Sequence, residues 1–281
     1  MHTNIKEFFY PQSVEEAVKL CSRRKLKTVP IAGGTSLSVR DPSSVGAIVD
    51  LTRLNLSYIK KCKQYTRIGA TTTATEIAES TLLPKPVEET LGQAAAAIAS
   101  PQLRNRVTIG GNIVQIYPWS DLPAALLVLE ARLAIAGSKK RTAKITDFLK
   151  EHPSRFLKKG EIVTEIRIPH LKGNIKGGFV KVTRSAVDNA LVDVACILHT
   201  SCGVIDVARV AVSSVTRLPE RLTGLEKLLL KKKVSPALLA QVEGWINSNL
   251  KVTRMVGVSA SYRKKLAAVT VRRLIADCLK K

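Results

Sequence analysis

At 281 residues the chain is about twice the usual single-domain length, so two or three compact units are expected. Its 45% hydrophobic and 24% charged content excludes long disorder, collagen and low-complexity arrays. The 45 basic against 22 acidic side chains give a formal net charge of +23, which suits nucleic acid, acidic membranes, phosphorylated ligands or an acidic protein surface without choosing among them. Aromatic content of only 4% weighs against nucleic acid, because single-strand binders stack bases on Phe, Tyr and Trp. A solvated basic face is the simplest use of that charge. The longest apolar run, Leu122 to Ala136, is broken by Glu130 and Arg132, and the N-terminus carries only the short cluster Phe8 to Tyr10. No transmembrane span or secretory signal is expected, and the chain reads as soluble and cytoplasmic. Cys21, Cys62, Cys196, Cys202 and Cys278 are scattered with no C-x-x-C, as suits buried apolar cysteines in a reducing compartment rather than a zinc or iron-sulfur site.

Ser13 with Glu16 three residues later, followed by apolar Val14, Ala17, Val18 and Cys21, predicts a capped amphipathic helix. Val29 to Ala32 reads as a strand entering the loop Gly33-Gly34-Thr35-Ser36, and Ala47 to Leu51 as a second strand. Tyr65 to Ala70 is a short strand, Thr73 to Glu76 another capping box, and Val87 to Ala99 a long alanine-rich helix that Ser100-Pro101 ends. Val107 to Ile109 reads as a strand end before the second loop, Gly110-Gly111-Asn112. Asp121 is the expected cap of a helix through Leu129, with Pro123 in its first turn. After a glycine-rich linker, Gly173 to Gly178, three strands are predicted at Phe179 to Arg184, Ala190 to Thr200 and Val204 to Val215, with Cys202-Gly203 as a hairpin turn. Helices are then predicted at Pro219 to Leu230, Pro236 to Leu250 and Ser259 to Leu279. The fold class is therefore α+β: an N-terminal part with two Gly-Gly loops, then a three-stranded sheet with a helical cluster.

Paired glycines at the end of a strand let the backbone approach a ligand and converge N–H groups on a phosphate, as a dinucleotide pyrophosphate requires. Gly33-Gly34-Thr35-Ser36 and Thr108-Ile109-Gly110-Gly111-Asn112 are two such loops, and Asp121 is placed to accept from a ribose hydroxyl. Either loop alone is equally an ordinary tight turn.

The sequence resembles the FAD-binding medium subunits of molybdenum hydroxylases, of the xanthine dehydrogenase and aerobic carbon monoxide dehydrogenase type. The resemblance rests on Pro30-Ile-Ala-Gly-Gly-Thr-Ser-Leu37, on Pro101-Gln-Leu-Arg-Asn-Arg-Val-Thr-Ile-Gly-Gly-Asn112 and on Asp121-Leu-Pro123. In the C-terminal part it rests on Phe179 to Arg184, Asn189 to Ala195, Tyr262 to Leu266 and Arg272-Arg273. Several ordered motifs are far more specific than one glycine pair. The resemblance implies an FAD-binding domain over residues 1–172, with subdomains of about 1–57 and 58–172, and a C-terminal domain over 173–281. It implies that Ile31, Ala32, Gly33, Gly34, Thr35, Ser36 and Leu37, with Thr108, Ile109, Gly110, Gly111 and Asn112, line the pyrophosphate and ribityl chain. Asp121 holds a polar group of FAD, Val163 and Lys181 border the flavin end, and Ile98 stands where the family places a larger apolar side chain near the ring.

Gln115 to Ser120 departs from the family's small-residue run, and Tyr117 or Trp119 there serves either stacking on the cofactor or packing at the subdomain junction. His2, His152, His170 and His199 all lie outside both loops, so the FAD is expected to be non-covalent. Lys181 and Arg184 either stabilise charge on reduced flavin or form an exposed pair. No catalytic constellation or metal site is visible, which leaves the redox chemistry to the flavin. By resemblance the molybdenum cofactor and [2Fe-2S] clusters belong to partner chains, a molybdopterin large subunit and an iron-sulfur small subunit, with a small molecule or protein as outside electron acceptor. Two rival readings are a stand-alone flavin oxidoreductase using Asp188, Asp193 or Tyr117, and a basic adaptor or nucleic-acid binder. Lys264, Lys265, Arg272 and Arg273 are expected on one face of the last helix as a docking stripe for an acidic partner.

Overall fold

Ser13 accepts the Glu16 amide at 3.1 Å and so starts the helix Val14–Cys21, while the Glu16 carboxylate reaches back to the Gln12 amide at 2.8 Å rather than to that of Ser13. This helix buries Ala17 and Cys21 against Val49, Leu51 and Ile162. It packs on a parallel sheet of order β1-β3-β2, made by β1 (Glu7–Phe9), β2 (Thr28–Ile31) and β3 (Ala47–Asp50). The cluster Phe8 to Tyr10 supplies an edge strand that three residues of alternation were too short to announce. The computed structural model describes residues 5–23, 25–37 and 45–280; His2 lies outside them.

The second sheet is antiparallel, of order β4-β5-β8-β6-β7, from β4 (Ile59–Lys61), β5 (Tyr65–Gly69), β6 (Arg132–Ala136), β7 (Arg141–Lys144) and β8 (Ile162–Pro169). Ile68, Leu133, Ile166 and Ile168 share the main core with Ile77, Leu91, Ile109, Ile113 and Leu126 of the covering helices. Among these helices the Thr73–Glu76 capping box forms as expected, starting Ala74–Ala78 with reciprocal bonds of 3.2 and 2.7 Å.

Glu165 in β8 is buried, yet it accepts from Arg67 and Arg167 at 2.5 Å each and from the Tyr58 hydroxyl at 2.6 Å. Burial works to raise its pKa, and the bonds from Arg67, Tyr58 and Arg167 outweigh it, holding the carboxyl below its usual range. A lowered folded pKa gives stability that is complete above the ordinary carboxylate range and is lost as pH falls through the lowered value. Glu165→Gln is therefore expected to cost about 1–3 kcal/mol at neutral pH. Melting curves should show the gap to wild type closing in strong acid, and a gap that stays constant with pH would contradict the assignment.

The predicted helix Val87 to Ala99 instead runs as Lys85–Val87, a π-helical turn Glu88–Gly92 and Gln93–Ala96. Thr90 Oγ1 bonds the Pro86 carbonyl at 2.6 Å, a back-bond four residues upstream that competes with the regular helical ladder. Glycines also mislead at the linker: β9 (Lys176–Val182) already includes Gly177 and Gly178. It pairs with β10 (Val192–Ser201), which pairs with β11 (Val204–Ser213) through a turn with positive φ at both Cys202 and Gly203. The expected three strands become four, because Glu220–Arg221, read as the start of a helix, adds β12 on the far side of β11. The helices that follow are Thr223–Leu229, Pro236–Asn249 and Ala260–Lys280. They bury Leu225, Val242, Val271 and Ile275 against Val194, Cys196 and Val210. Of the expected docking stripe on the last helix, Arg272 is turned onto Glu243 and Lys264 donates to the Asn247 carbonyl at 2.8 Å, so only Lys265 and Arg273 stand exposed.

Candidate functional site

The three sheets meet around one cleft of about 740 Å³, within the usual size for a cofactor pocket. Ile31, Ala32, Gly33, Gly34, Thr35, Ser36 and Leu37 form one wall. Ile98, Thr108, Gly110, Gly111, Asn112, Asp121, Val163 and Lys181 contribute to the others. Every predicted site residue but one thus reaches the same cavity. The exception is Ile109, whose side chain is fully buried in the main core.

The first glycine pair behaves as its chemistry suggests. Gly34 takes φ of +74°, and a Cβ on Gly33 would lie 1.5 Å from the Arg106 carbonyl oxygen, so only glycine lets the two chain segments touch. Arg106 Nε donates back to the Gly33 carbonyl at 3.0 Å. Among the described residues no acceptor takes the amide of Gly33 or of Gly34, which leaves both donors to the cleft.

The second pair is not a loop. Thr108 caps the helix Ile109–Val114, placing Gly110 and Gly111 in its first turn, and the predicted strand from Val107 to Ile109 is absent. The amides of Ile109 and Gly110 go to the carbonyls of Thr72 and Ala70 at 2.9 Å each, and that of Gly111 to Thr108 Oγ1 at 3.2 Å. This segment therefore offers surface and the Asn112 side chain rather than a nest of free N–H groups. A Cβ on Gly110 would meet the Ala70 carbonyl oxygen at 2.7 Å. Gly110→Val is therefore expected to damage the packing against Ala70. At Gly111 an added Cβ meets only Thr108 Oγ1, at 2.9 Å. Gly111→Val is thus expected to keep the fold and weaken FAD about ten- to a hundredfold by intruding on the cleft. Unchanged affinity in a fluorescence titration would remove this helix from the site.

Asp121 precedes the helix Leu122–Val128 in helical conformation and makes no side-chain cap. Its carboxylate is buried, with Oδ1 3.0 Å from Lys181 Nζ, and the Lys181 ammonium also donates to the Ala97 carbonyl at 3.1 Å. Burial raises the Asp121 pKa to about 6, and the attraction of Lys181 holds it from going higher. Lys181 is thus a buried cation of the cleft wall, while Arg184 pairs at 2.8 Å with Asp188 on the exposed side. The two candidates for charge stabilisation part company here. Tyr117 and Trp119 stack on each other, with ring centroids 5.1 Å apart, and the Tyr117 hydroxyl lies 2.7 Å from Ser36 Oγ. Tyr117 ties the 115–120 segment to the first glycine loop.

Sequence reasoning missed Thr71 and gave Arg106 no role, although both line the cleft. Among the described residues Thr71 Oγ1 and Asn112 Oδ1 are buried without a hydrogen-bond partner. Orphaned polar atoms are rare in folded proteins, and here both border the cavity. FAD fits this set. Two unspent amides suit its pyrophosphate, polar oxygens suit its hydroxyl-rich chain, and Ile98 and Val163 give apolar wall. Among the described residues no cluster of His, Cys, Asp and Glu can hold a metal ion, and no histidine lines the cleft.

Residues 3–171 match the family model described as FAD binding domain in molybdopterin dehydrogenase, and residues 178–278 that of the CO dehydrogenase flavoprotein C-terminal domain. The chain is 32% identical to the glyceraldehyde dehydrogenase medium chain of Sulfolobus acidocaldarius over 94% of its length and 95% of that protein's. It is 29% identical to the carbon monoxide dehydrogenase medium chain of Hydrogenophaga pseudoflava over 80% of each chain. Its fold is similar to a chain of reconstituted CO dehydrogenase from Oligotropha carboxidovorans, with a TM-score of 0.91, 25% identity and coverage of 100% and 99%.

Proposed function

The chain belongs to the family of FAD-binding domains in molybdopterin dehydrogenases, and on that premise we propose how it holds its cofactor and what it exchanges electrons with. It is the FAD-binding medium subunit of an oxidoreductase complex of the molybdenum hydroxylase kind. FAD, when bound, supplies the redox chemistry by taking up and releasing electrons. The backbone of Gly33 and Gly34 holds the pyrophosphate. Thr71 and Asn112 bond the polar chain, Asp121 and Lys181 fix the deep wall, and Ile98 and Val163 pack the ring end. The observation that carries this reading is the coincidence, in one cavity, of unspent amides and orphaned side-chain oxygens with the family's motif positions.

Electrons arrive from [2Fe-2S] clusters of a small partner subunit, the substrate being oxidised at the molybdenum cofactor of a large one, and leave to an outside small-molecule or protein acceptor. The medium chains of carbon monoxide dehydrogenase and nicotine 6-hydroxylase support this placement by the subunit names they carry. The FAD-binding domain spans 1–172, dividing near residue 57, and the C-terminal domain 173–281; a small core on the parallel sheet and a core between the C-terminal helices and one face of β10–β11 support this division. No helix among the described residues is long and apolar enough to cross a membrane, and a cytoplasmic site suits a chain whose cysteines form no disulfide among the described residues.

FAD is held without a covalent bond. His152 caps a short helix with Ser154, His170 lies beside Thr66 and His199 beside Asp206, and none of these three lines the cleft. Acid or heat should release all the flavin from the purified protein. Flavin that stays with the denatured polypeptide would contradict this, and absence of flavin bands after incubation with FAD would favour the basic adaptor. The acid-base candidates of a stand-alone enzyme are otherwise engaged: Asp188 with Arg184, Tyr117 with Ser36, and Asp193 with two serines.

A further inference from the structure

Directly behind Asp121 lies a second carboxyl that the electron-transfer role does not use. Asp193, in β10, is fully buried, and its Oδ2 accepts from Ser213 Oγ at 3.1 Å and Ser214 Oγ at 2.5 Å. Its Oδ1 has no donor among the described residues, and its place in β10 is directly opposite Lys181 of β9, the lysine whose ammonium lies 3.0 Å from Asp121 Oδ1. Around this pair, β9 contributes Lys181, the end of β11 contributes Ser213 and Ser214, and the last helix contributes Arg263. Arg263 is spent on carbonyls, those of Leu191, Ser214 and Thr253, so Lys181 is the cation left to both acids. Two buried carboxylates facing each other across one ammonium repel, and a single proton between them removes the repulsion and satisfies the bare oxygen at once. With both serines donating to Oδ2, the proton belongs on Oδ1.

We infer that Asp121 and Asp193 form a proton-binding site in the wall of the flavin cleft, in which neutral Asp193 donates to Asp121 and thereby positions it toward the cofactor. Asp193 is a positioning residue, acting through Asp121. Burial, and then the charge of Asp121, push its pKa well above the usual carboxylate range. A carboxyl raised in the folded state contributes stability that is complete in acid and is lost as pH rises from the ordinary carboxylate range toward the raised value. Loss of that proton also leaves the wall with two negative charges against one positive, beside a site for an anionic dinucleotide. FAD affinity and stability should therefore fall together at alkaline pH.

The affinity arm rests on the FAD reading above; the stability arm does not. Full-length wild type, Asp193→Asn and Asp193→Ala would be titrated with FAD by flavin fluorescence, and melted without FAD, between pH 6 and 9. Asparagine offers an N–H to Asp121 and an oxygen to the serines but never ionises. Asp193→Asn is therefore expected to match wild type at pH 6 and to keep its affinity at pH 9, where wild type weakens about tenfold. Its melting temperature should also decline less with rising pH than that of wild type. Asp193→Ala should bind FAD about tenfold more weakly than wild type at pH 6, having lost the bond to Asp121, and should show no further loss at pH 9, having no carboxyl to ionise. If Asp193→Asn is as impaired as Asp193→Ala at pH 6, or if its melting profile with pH copies that of wild type, the shared proton is refuted. Wild type that never binds FAD would sink the cofactor reading, while the melting profiles would still decide the proton.

Discussion

Gly33→Ala is expected to abolish measurable FAD binding and to lower the melting temperature, although it adds a single methyl group. The position of a Cβ is fixed by the backbone, so a clash at 1.5 Å from the Arg106 carbonyl oxygen cannot be relieved by choosing another rotamer. The loop or the Arg106 segment must move, and the bond from Arg106 Nε to the Gly33 carbonyl is lost with the movement. Overpacking of this kind costs about 1–3 kcal/mol. The FAD loss is larger, because Gly33 carries one of the two amides left free for the ligand and its neighbour Gly34 the other. A fluorescence titration and a melting curve read the two effects separately. Wild-type affinity in the alanine variant would mean that the contact between the parallel sheet and the Arg106 segment does not shape the site.

That contact also marks the limit of what the sequence discloses. The residues that meet in the cleft were recognisable because motifs such as Pro30 to Leu37 and Pro101 to Asn112 carry type and order together. What each residue does there was less visible, since a glycine records only that something comes close. At Gly33 the close neighbour is the Arg106 backbone, distant in sequence, and at Gly110 it is Ala70, so neither pair reads simply as phosphate contact. The local rules held where bonds are local: Ser13 and Thr73 cap their helices as their spacing suggests. They failed where a distant partner decides. Asp121 was read as a cap, but its side chain is claimed by Lys181, sixty residues away in the chain. Arg272 looked like a free charge and is taken by Glu243. Asp193 was weighed only as an acid of a stand-alone enzyme, and only the fold sets it in β10 opposite Lys181, the partner of Asp121.

Lys181→Met is expected to destabilise the protein by about 3–5 kcal/mol at pH 8, the usual cost of removing one partner from a buried ion pair. Methionine keeps most of the stem volume, so packing changes little and the effect isolates the charge. Without the ammonium, Asp121 faces a buried, hydrogen-bonded carboxyl on one side and no cation on the other. It escapes only by taking a proton. In wild type its pKa is about 6, with burial raising it and Lys181 opposing the rise, so loss of Lys181 moves it further up. A raised folded pKa means stability that is present in acid and lost as pH climbs through the window, and in the variant that window extends to higher pH. The gap between wild type and variant should therefore be small at pH 5 and large at pH 8. Adding Asp121→Asn to the variant removes the orphaned charge and should recover most of the melting temperature, since replacing both partners leaves nothing uncompensated. FAD affinity should not recover with it, because both charged groups of the wall are then gone. A double variant that regained full FAD binding would show that the pair only holds the domains together, and a single variant equally stable at both pH values would show that Asp121 does not carry the buried charge.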